Sequence, residues 1–347
     1  MQITINRPFD AHVHLRKKDL LRDLVKQYDI FDYIVVMGNL TPPIIRGMDA
    51  QTYQKEIMDL DPKFTPVMSI MLTADTTPQI ILDAFKAGVR VLKFIPCGTS
   101  TGSSNGIRLV DLPAYYHILK LAEDIGMIFS GHWELIENPR TGNMIRMLDR
   151  EKHAIPFLED VIKKFPKLKI IVEHVSTKKM VELVKSAPAN VAATITAHHV
   201  LIGYSDVFDQ KERITNPYLF CKPCVKTIPD QIAVMEAMIG GNPKFFFGSD
   251  SAPHPKWDKR GKNPAAGIYT SGFVAASLLC QIFEDCKFLN RLDNFISRSG
   301  KNFYNIPQTT KTVTMIKEKW TIPIEICGVV QFMGGRTLDW RVKAIGI

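Results

Sequence analysis

Short, almost unbroken apolar runs alternate along this chain with stretches in which apolar residues recur every three or four positions. The runs cover 34–37, 65–72, 89–95, 127–130, 169–172, 191–195 and 245–248, and another opens the chain at Ile3-Thr4-Ile5, just ahead of Asp10-Ala11-His12-Val13-His14. Between them, 19–28, 50–59, 78–87, 112–124, 153–164, 176–185 and 230–239 carry helical spacing, as in Leu20, Leu21, Leu24 and Val25. A strand wetted on one face alternates apolar and polar residues, whereas a strand covered on both faces by helices does not. The runs therefore read as strands of a parallel sheet, and eight strand–helix units predict an α/β fold, a closed (β/α)8 TIM barrel. An open doubly wound sheet fits less well, since no G-x-G-x-x-G follows the first strand. Residues 270–347 read as further helices and a tail with Val329-Val330 and Trp340. That predicts one domain over 1–347, with a barrel core to about 268 and a C-terminal helical extension over about 269–347. No internal repeat, low-complexity tract or linker breaks the pattern.

Composition narrows the partners. With 347 residues, 46% hydrophobic and 23% charged, the chain has ample material for a core. The formal net charge of +9 raises the question of nucleic acid, but Lys and Arg are interspersed with Asp and Glu, and even the densest stretch, 256–262, contains Trp257 and Asp258. A basic surface that draws in small anions accounts for the balance, and no nucleic-acid partner is expected. Six scattered cysteines make no disulfide framework. The first residues lack a basic stretch leading into an apolar one, and no run of 18 apolar residues occurs, so a soluble cytoplasmic protein without membrane partners is expected.

If the barrel is right, polar residues just past the strand ends converge on one mouth. In order these are His12 and His14, Asn39, Lys93 within its strand, His132, His174 and Asp250. His12 and His14 are two apart and point the same way from a strand, as two imidazoles sharing one ion must; alone, the pair equally fits a wet strand face. Arg16 keeps that parity and is placed to hold an anion beside a metal. His132 or His174 singly reads as a rim histidine, Glu173-His174 as a surface pair and Asp250 as a turn residue. Lys93 among Val91, Leu92, Phe94 and Ile95 resists such a reading, because a buried unpaired ammonium is costly. Together the residues make a metal constellation.

The set His12-x-His14-x-Arg16, Met37-Gly38-Asn39-Leu40, Lys93, Glu173-His174, Thr194-Ile195-Thr196 and Gly248-Ser249-Asp250-Ser251-Ala252-Pro253-His254 resembles the dihydroorotases of the short bacterial type, in the amidohydrolase superfamily. The likeness runs from about Ile3 through Ala265-Ala266-Gly267 and weakens beyond. It implies a hydrolase with two Zn2+ ions per chain, one on His12, His14 and Asp250, the other on His132 and His174. N6-carboxylated Lys93 and a hydroxide would bridge them, and Asp250 would be the catalytic acid and base. The implied reaction is the reversible cyclisation of N-carbamoyl-L-aspartate to L-dihydroorotate, the third step of pyrimidine biosynthesis. The implied substrate contacts are Arg16, Asn39 and His254 on the carboxylate, main-chain groups near Lys222, Ala266 and Gly267 on the ring, and Ser100 and Thr101 on a lid formed by the glycine- and hydroxyl-rich loop 98–106. A homodimer is usual in similar proteins. A hydantoinase or allantoinase would share the metal set but not the Arg16, Asn39 and His254 grip, and a silent barrel serving as an assembly subunit would need neither.

Three positions depart from the family pattern. Gly38 replaces a proline and is expected to loosen the turn before Asn39, Trp133 replaces a small residue, and Lys222 replaces an apolar one. Cys221-Lys222-Pro223-Cys224 has half-zinc-site spacing but no second pair, so two reduced structural cysteines are expected. His198-His199 falls near the pocket although the metal set is complete without it.

Overall fold

The computed structural model describes residues 1–346. The chain opens with β1 (Gln2–Asn6), then builds one eight-stranded parallel sheet in chain order: β2 (Phe9–Val13), β3 (Tyr33–Val36), β4 (Thr65–Met71), β5 (Val91–Phe94), β6 (Ile128–Gly131), β7 (Ile170–Val172), β8 (Val191–Ile195) and β9 (Phe245–Phe247). The ring closes just past the strands, where the Asp250 amide donates to the His12 carbonyl at 3.0 Å and the His14 amide to the Ser251 carbonyl at 2.9 Å. Closure thus runs through the segments that carry the chemistry.

Between strands lie α1 (Lys18–Leu24), α2 (Gly47–Met58), α3 (Pro78–Lys86), α4 (Tyr116–Ile125), α5 (Arg150–Lys164), α6 (Lys178–Ser186), the short α7 (His198–Leu201) and α8 (Ile228–Ile239). Thr77 and Thr177 cap α3 and α6 by accepting from the amides of Ile80 and Met180. The expected helix over 112–124 starts later, because 109–115 winds as a 3-10 turn around Pro113. Likewise 19–28 divides into α1 and a 3-10 turn over 25–28.

Strand parity decides what fills the barrel. Val35, Val91, Ile128, Ile171, Ala192 and Phe246 form one interior layer with Phe9 and Ala11. Two residues further along four of these strands the same face presents Lys93, Ser130, Glu173 and Thr194, all buried. An apolar floor therefore carries a polar layer facing the mouth. The opposite parity packs outward, with Leu92, Phe94, Ile170 and Val172 in the larger core beneath the helices.

After α9 (Lys256–Lys259), α10 (Gly272–Asp285) and α11 (Ser299–Tyr304) complete the expected C-terminal helices. Tyr304 of α11 plugs the barrel floor, its ring 5.1 Å from that of Phe9. The chain then returns as strands rather than a helical tail: β10 (Thr312–Thr321), β11 (Glu325–Ile326), β12 (Val329–Val330) and β13 (Thr337–Ile345). β10 lies between β1 and β13 in an antiparallel sheet, pairing Ile3 with Met315 and Ile5 with Val313. Buried Val313 and Met315, and Leu338 and Trp340, alternate with more exposed neighbours, the period of a strand with one wet face. Ile3-Thr4-Ile5 therefore belongs to this outer sheet, and the first barrel strand is the motif-bearing Phe9–Val13.

Candidate metal centre and substrate cleft

At the end of β2 the two imidazoles turn inward together. His12 Nε2 and His14 Nε2 lie 3.3 Å apart, and Asp250 Oδ1 is 3.3 Å from the first and 3.2 Å from the second. Three donor atoms from the two sides of the closure seam thus face one point. Asp250, His174 and Arg16 all adopt the left-handed backbone region, with φ of 47°, 41° and 63°. Non-glycine residues rarely stay there unless the surroundings impose it, and such strain gathers at functional sites.

Behind the imidazoles stand carboxylates. Glu173 Oε2 accepts from His12 Nδ1 at 2.7 Å and from the Thr194 hydroxyl at 2.7 Å, while Ser130 donates to its other oxygen. His12 is thereby left with its Nε2 lone pair facing Asp250. Burial pushes the Glu173 carboxyl upward, but His12, Lys93 and these hydrogen bonds outweigh it and hold it at about 2. Glu173 is fully buried and not part of a surface pair. Glu134 Oε2 does the same for His132, accepting from Nε2 at 2.8 Å and leaving Nδ1 free. His132 and His174 meet edge to face at 4.8 Å, and His174 lies 5.1 Å from His12.

Lys93 stands in the polar layer beneath them with an ammonium that is buried and has no acceptor. Burial depresses its pKa, Glu173 and Asp250 acting in the opposite sense. A neutral amine is the form that adds CO2, and the resulting carbamate is an anionic two-oxygen ligand, so this orphaned nitrogen fits a bridging role among four imidazoles. The donor set suits zinc, which takes imidazole and carboxylate ligands.

One small cleft opens onto this centre. His14, Arg16, Asn39, Ser100, Thr101, Lys222, Asp250, Ala252, Ala266 and Gly267 line it, and its free volume is only about 10 Å³. His254 stands behind Arg16: the guanidinium donates from Nη2 to His254 Nε2 at 2.7 Å and from Nε to the Pro253 carbonyl at 3.0 Å. Burial and Arg16 hold the imidazole neutral, down to about 2. The loop 98–106 is folded down, with Thr101 Oγ1 donating to the Ala266 carbonyl at 3.2 Å and Asn39 Nδ2 to the Thr101 carbonyl at 3.3 Å. Gly38 does not leave a loose turn. Its amide, which proline lacks, donates to Ser69 Oγ at 2.9 Å, and its carbonyl accepts from the amides of Leu40 and Ile44. Trp133 is buried against Phe94 and Phe129, over Gly131, where an added Cβ would come within 2.4 Å of the indole nitrogen.

Sequence reasoning passed over Glu134, Ser130 and Lys259. Buried Lys259 donates to the carbonyls of Phe220 at 3.1 Å, Ala265 at 2.9 Å and Gly267 at 2.6 Å, stapling together two segments beside the cleft. Its spacing within an exposed-looking basic run gave no sign of this. All six cysteines are free, as expected for Cys221 and Cys224. His198, His199 and Cys221 form a second buried group with the spacing of metal ligands. There, however, the Pro223 carbonyl already accepts from His199 Nε2 at 3.1 Å and from Cys221 at 3.2 Å.

A (β/α)8 barrel whose mouth gathers four imidazoles, a carboxylate and a buried lysine is built as a metal-dependent hydrolase. No family model matches the chain. The dihydroorotase of Shewanella woodyi is 38% identical over 353 residues, covering 99% of both chains. In structure, the dihydroorotase of Saccharomyces cerevisiae, crystallised with 5-fluoroorotic acid, superposes with a TM-score of 0.92 at 30% identity, covering 99% of this chain and 98% of the other. An L-hydantoinase from Arthrobacter aurescens shares the fold, with a TM-score of 0.83 at 15% identity over 99% of this chain and 84% of its own. The chain belongs to the dihydroorotase family, hydrolases of a cyclic amide C–N bond. Among the described residues no helix is long and apolar enough to cross a membrane.

Proposed function

We propose that this cleft interconverts N-carbamoyl-L-aspartate and L-dihydroorotate, with His12, His14 and Asp250 holding one zinc, His132 and His174 a second, and carboxylated Lys93 between them. A zinc pair held by these residues would supply a nucleophilic water-derived oxygen at neutral pH and polarise the carbonyl under attack. The protein's own groups do the rest. Arg16, fixed by Pro253 and His254, presents a guanidinium edge to the substrate carboxylate, and Asn39 adds an amide donor. In ring opening, Asp250 takes the proton of the attacking oxygen and returns it to the departing ring nitrogen; in ring closure it runs the same transfers backwards. Ser100 and Thr101 close over the ring while the backbone at Lys222, Ala266 and Gly267 reads its polar edge and water is excluded.

What supports this reading is that two of the metal donors, His14 and Asp250, line one cleft with Arg16 and Asn39 of the carboxylate grip. A hydantoinase needs no such grip, and its relative here is the more distant. The same proposal carries a cytoplasmic homodimer working in pyrimidine synthesis. The test is a zinc assay paired with the ultraviolet change on dihydroorotate hydrolysis: about two zinc ions per chain and turnover are expected. Turnover of hydantoin without dihydroorotate would transfer the assignment to the rival amidohydrolase.

A further inference from the structure

Beside the sealed cleft lies a second, larger cavity of about 370 Å³ that shares Ser100, Thr101, Lys222 and Ala266 with it. Its other charged lining residues are Arg150, at the start of α5, and Lys262, and no Asp or Glu side chain lines it. These three cations come from three separate segments, so no local sequence rule such as helix pairing brings them together.

Among the described residues none of the three has a carboxylate within salt-bridge distance. Arg150 spends one nitrogen on the Ile145 carbonyl at 3.0 Å, and neither the Lys222 nor the Lys262 ammonium makes a hydrogen bond among the described residues. Lys222 and Arg150 are both half-buried. Burial depresses the Lys222 pKa; Glu134 opposes this, but its carboxylate is hydrogen-bonded to His132, and Arg150 depresses it further. Converging like charges with partly stripped hydration are unfavourable unless an anion joins them. Every charged lining residue is a cation, and the lid that bars the cleft forms one wall.

We propose that the cavity framed by Arg150, Lys222 and Lys262 is an anion-holding vestibule, in which the carboxylates of an incoming substrate dock before the loop 98–106 opens to the metal centre. This rests on the dihydroorotase reading, which makes the ligand a dianion in the open-chain direction and a monoanion in the ring direction. Because electrostatic work scales with ligand charge, the vestibule favours capture of the open-chain form.

The test compares the enzyme with Lys262→Glu, an exposed position with no hydrogen bond to lose, in both reaction directions at low and high salt. At about 20 mM salt the reversal is expected to lower kcat/KM roughly tenfold in both directions alike, as the fixed equilibrium between the two substrates requires, and to raise KM more for the dianion N-carbamoyl-L-aspartate than for L-dihydroorotate. At about 500 mM salt, where screening acts over a few ångströms, both deficits shrink toward wild type. Arg150→Gln is expected to show the same pattern, an equal loss of kcat/KM in both directions with the larger rise in KM for N-carbamoyl-L-aspartate. No loss of kcat/KM, a loss that survives high salt, or a rise in KM for N-carbamoyl-L-aspartate no larger than that for L-dihydroorotate overturns the vestibule. A wild-type enzyme inert in both directions would instead overturn the reaction assignment. Calorimetric titration with N-carbamoyl-L-aspartate then decides the vestibule alone, unchanged affinity in Lys262→Glu refuting it and weaker affinity supporting it.

Discussion

Single side chains at the barrel mouth divide into those whose chemistry declares itself and those that act through a neighbour. Lys93 declares itself, because an ammonium in an apolar strand has no cheap structural role and the structure leaves it without an acceptor. Lys93→Ala should lose most of its metal and its turnover together, with partial recovery when a short-chain carboxylate is added. Full activity without that addition would remove it from the centre. Glu134 and Glu173 were not legible as anything more than acidic residues near histidines, since their value lies in which ring nitrogen they face. Glu134→Gln keeps the shape but weakens the hydrogen bond on His132 Nε2. Carboxylates in that position typically govern metal affinity by 10- to 100-fold, so zinc should be stripped by a chelator on the order of ten times faster. An unchanged stripping rate would reduce Glu134 to a packing residue.

Elements were easier to read than their edges. Seven of the eight barrel strands stood out because burial on both faces removes alternation. The run at Ile3-Thr4-Ile5 instead overlaps a strand of the outer sheet, and the first barrel strand, Phe9–Val13, carries the motif rather than an apolar run. Helix starts moved where a 3-10 turn precedes the helix, as around Pro113, since spacing alone does not separate the two windings. The lid loop was legible as a glycine- and hydroxyl-rich stretch, but not that it lies closed on Ala266 and Asn39. Gly102 is the residue that permits this. It sits at φ 73°, and a Cβ there would come within 2.9 Å of the Asn39 carbonyl oxygen. Gly102→Ala should therefore hold the loop away from Asn39, raising KM for dihydroorotate severalfold with zinc content unchanged. Zinc loss in that variant would show that the damage had spread beyond the lid.

At the scale of the whole molecule, the ends of the chain decide how the barrel is held shut from below, and this no periodicity could foretell. Strand parity shows that a segment has one wet face but not which partner, some 310 residues away, will cover its edge; β1 and β10 meet only because the barrel brings both to its outside. The same convergence buries an ion pair. Lys301 of α11, fully buried, donates to the Arg7 carbonyl at 3.0 Å and to Asp32 at 2.8 Å, tying the C-terminal helix to the segment after β1 and the one before β3. Breaking a buried pair from one side leaves an uncompensated charge and costs about 3–5 kcal/mol. Asp32→Ala is thus expected to lower Tm by roughly 5–10 °C for a protein of this size. KM should stay as it was, because the pair lies at the floor, away from the mouth where the strand ends hold the chemistry. Asp32→Leu combined with Lys301→Met removes both charges and should melt closer to wild type than Asp32→Ala does. If the double variant is the least stable of the set, the contribution of the pair lies in its attraction rather than in the avoidance of a lone buried charge.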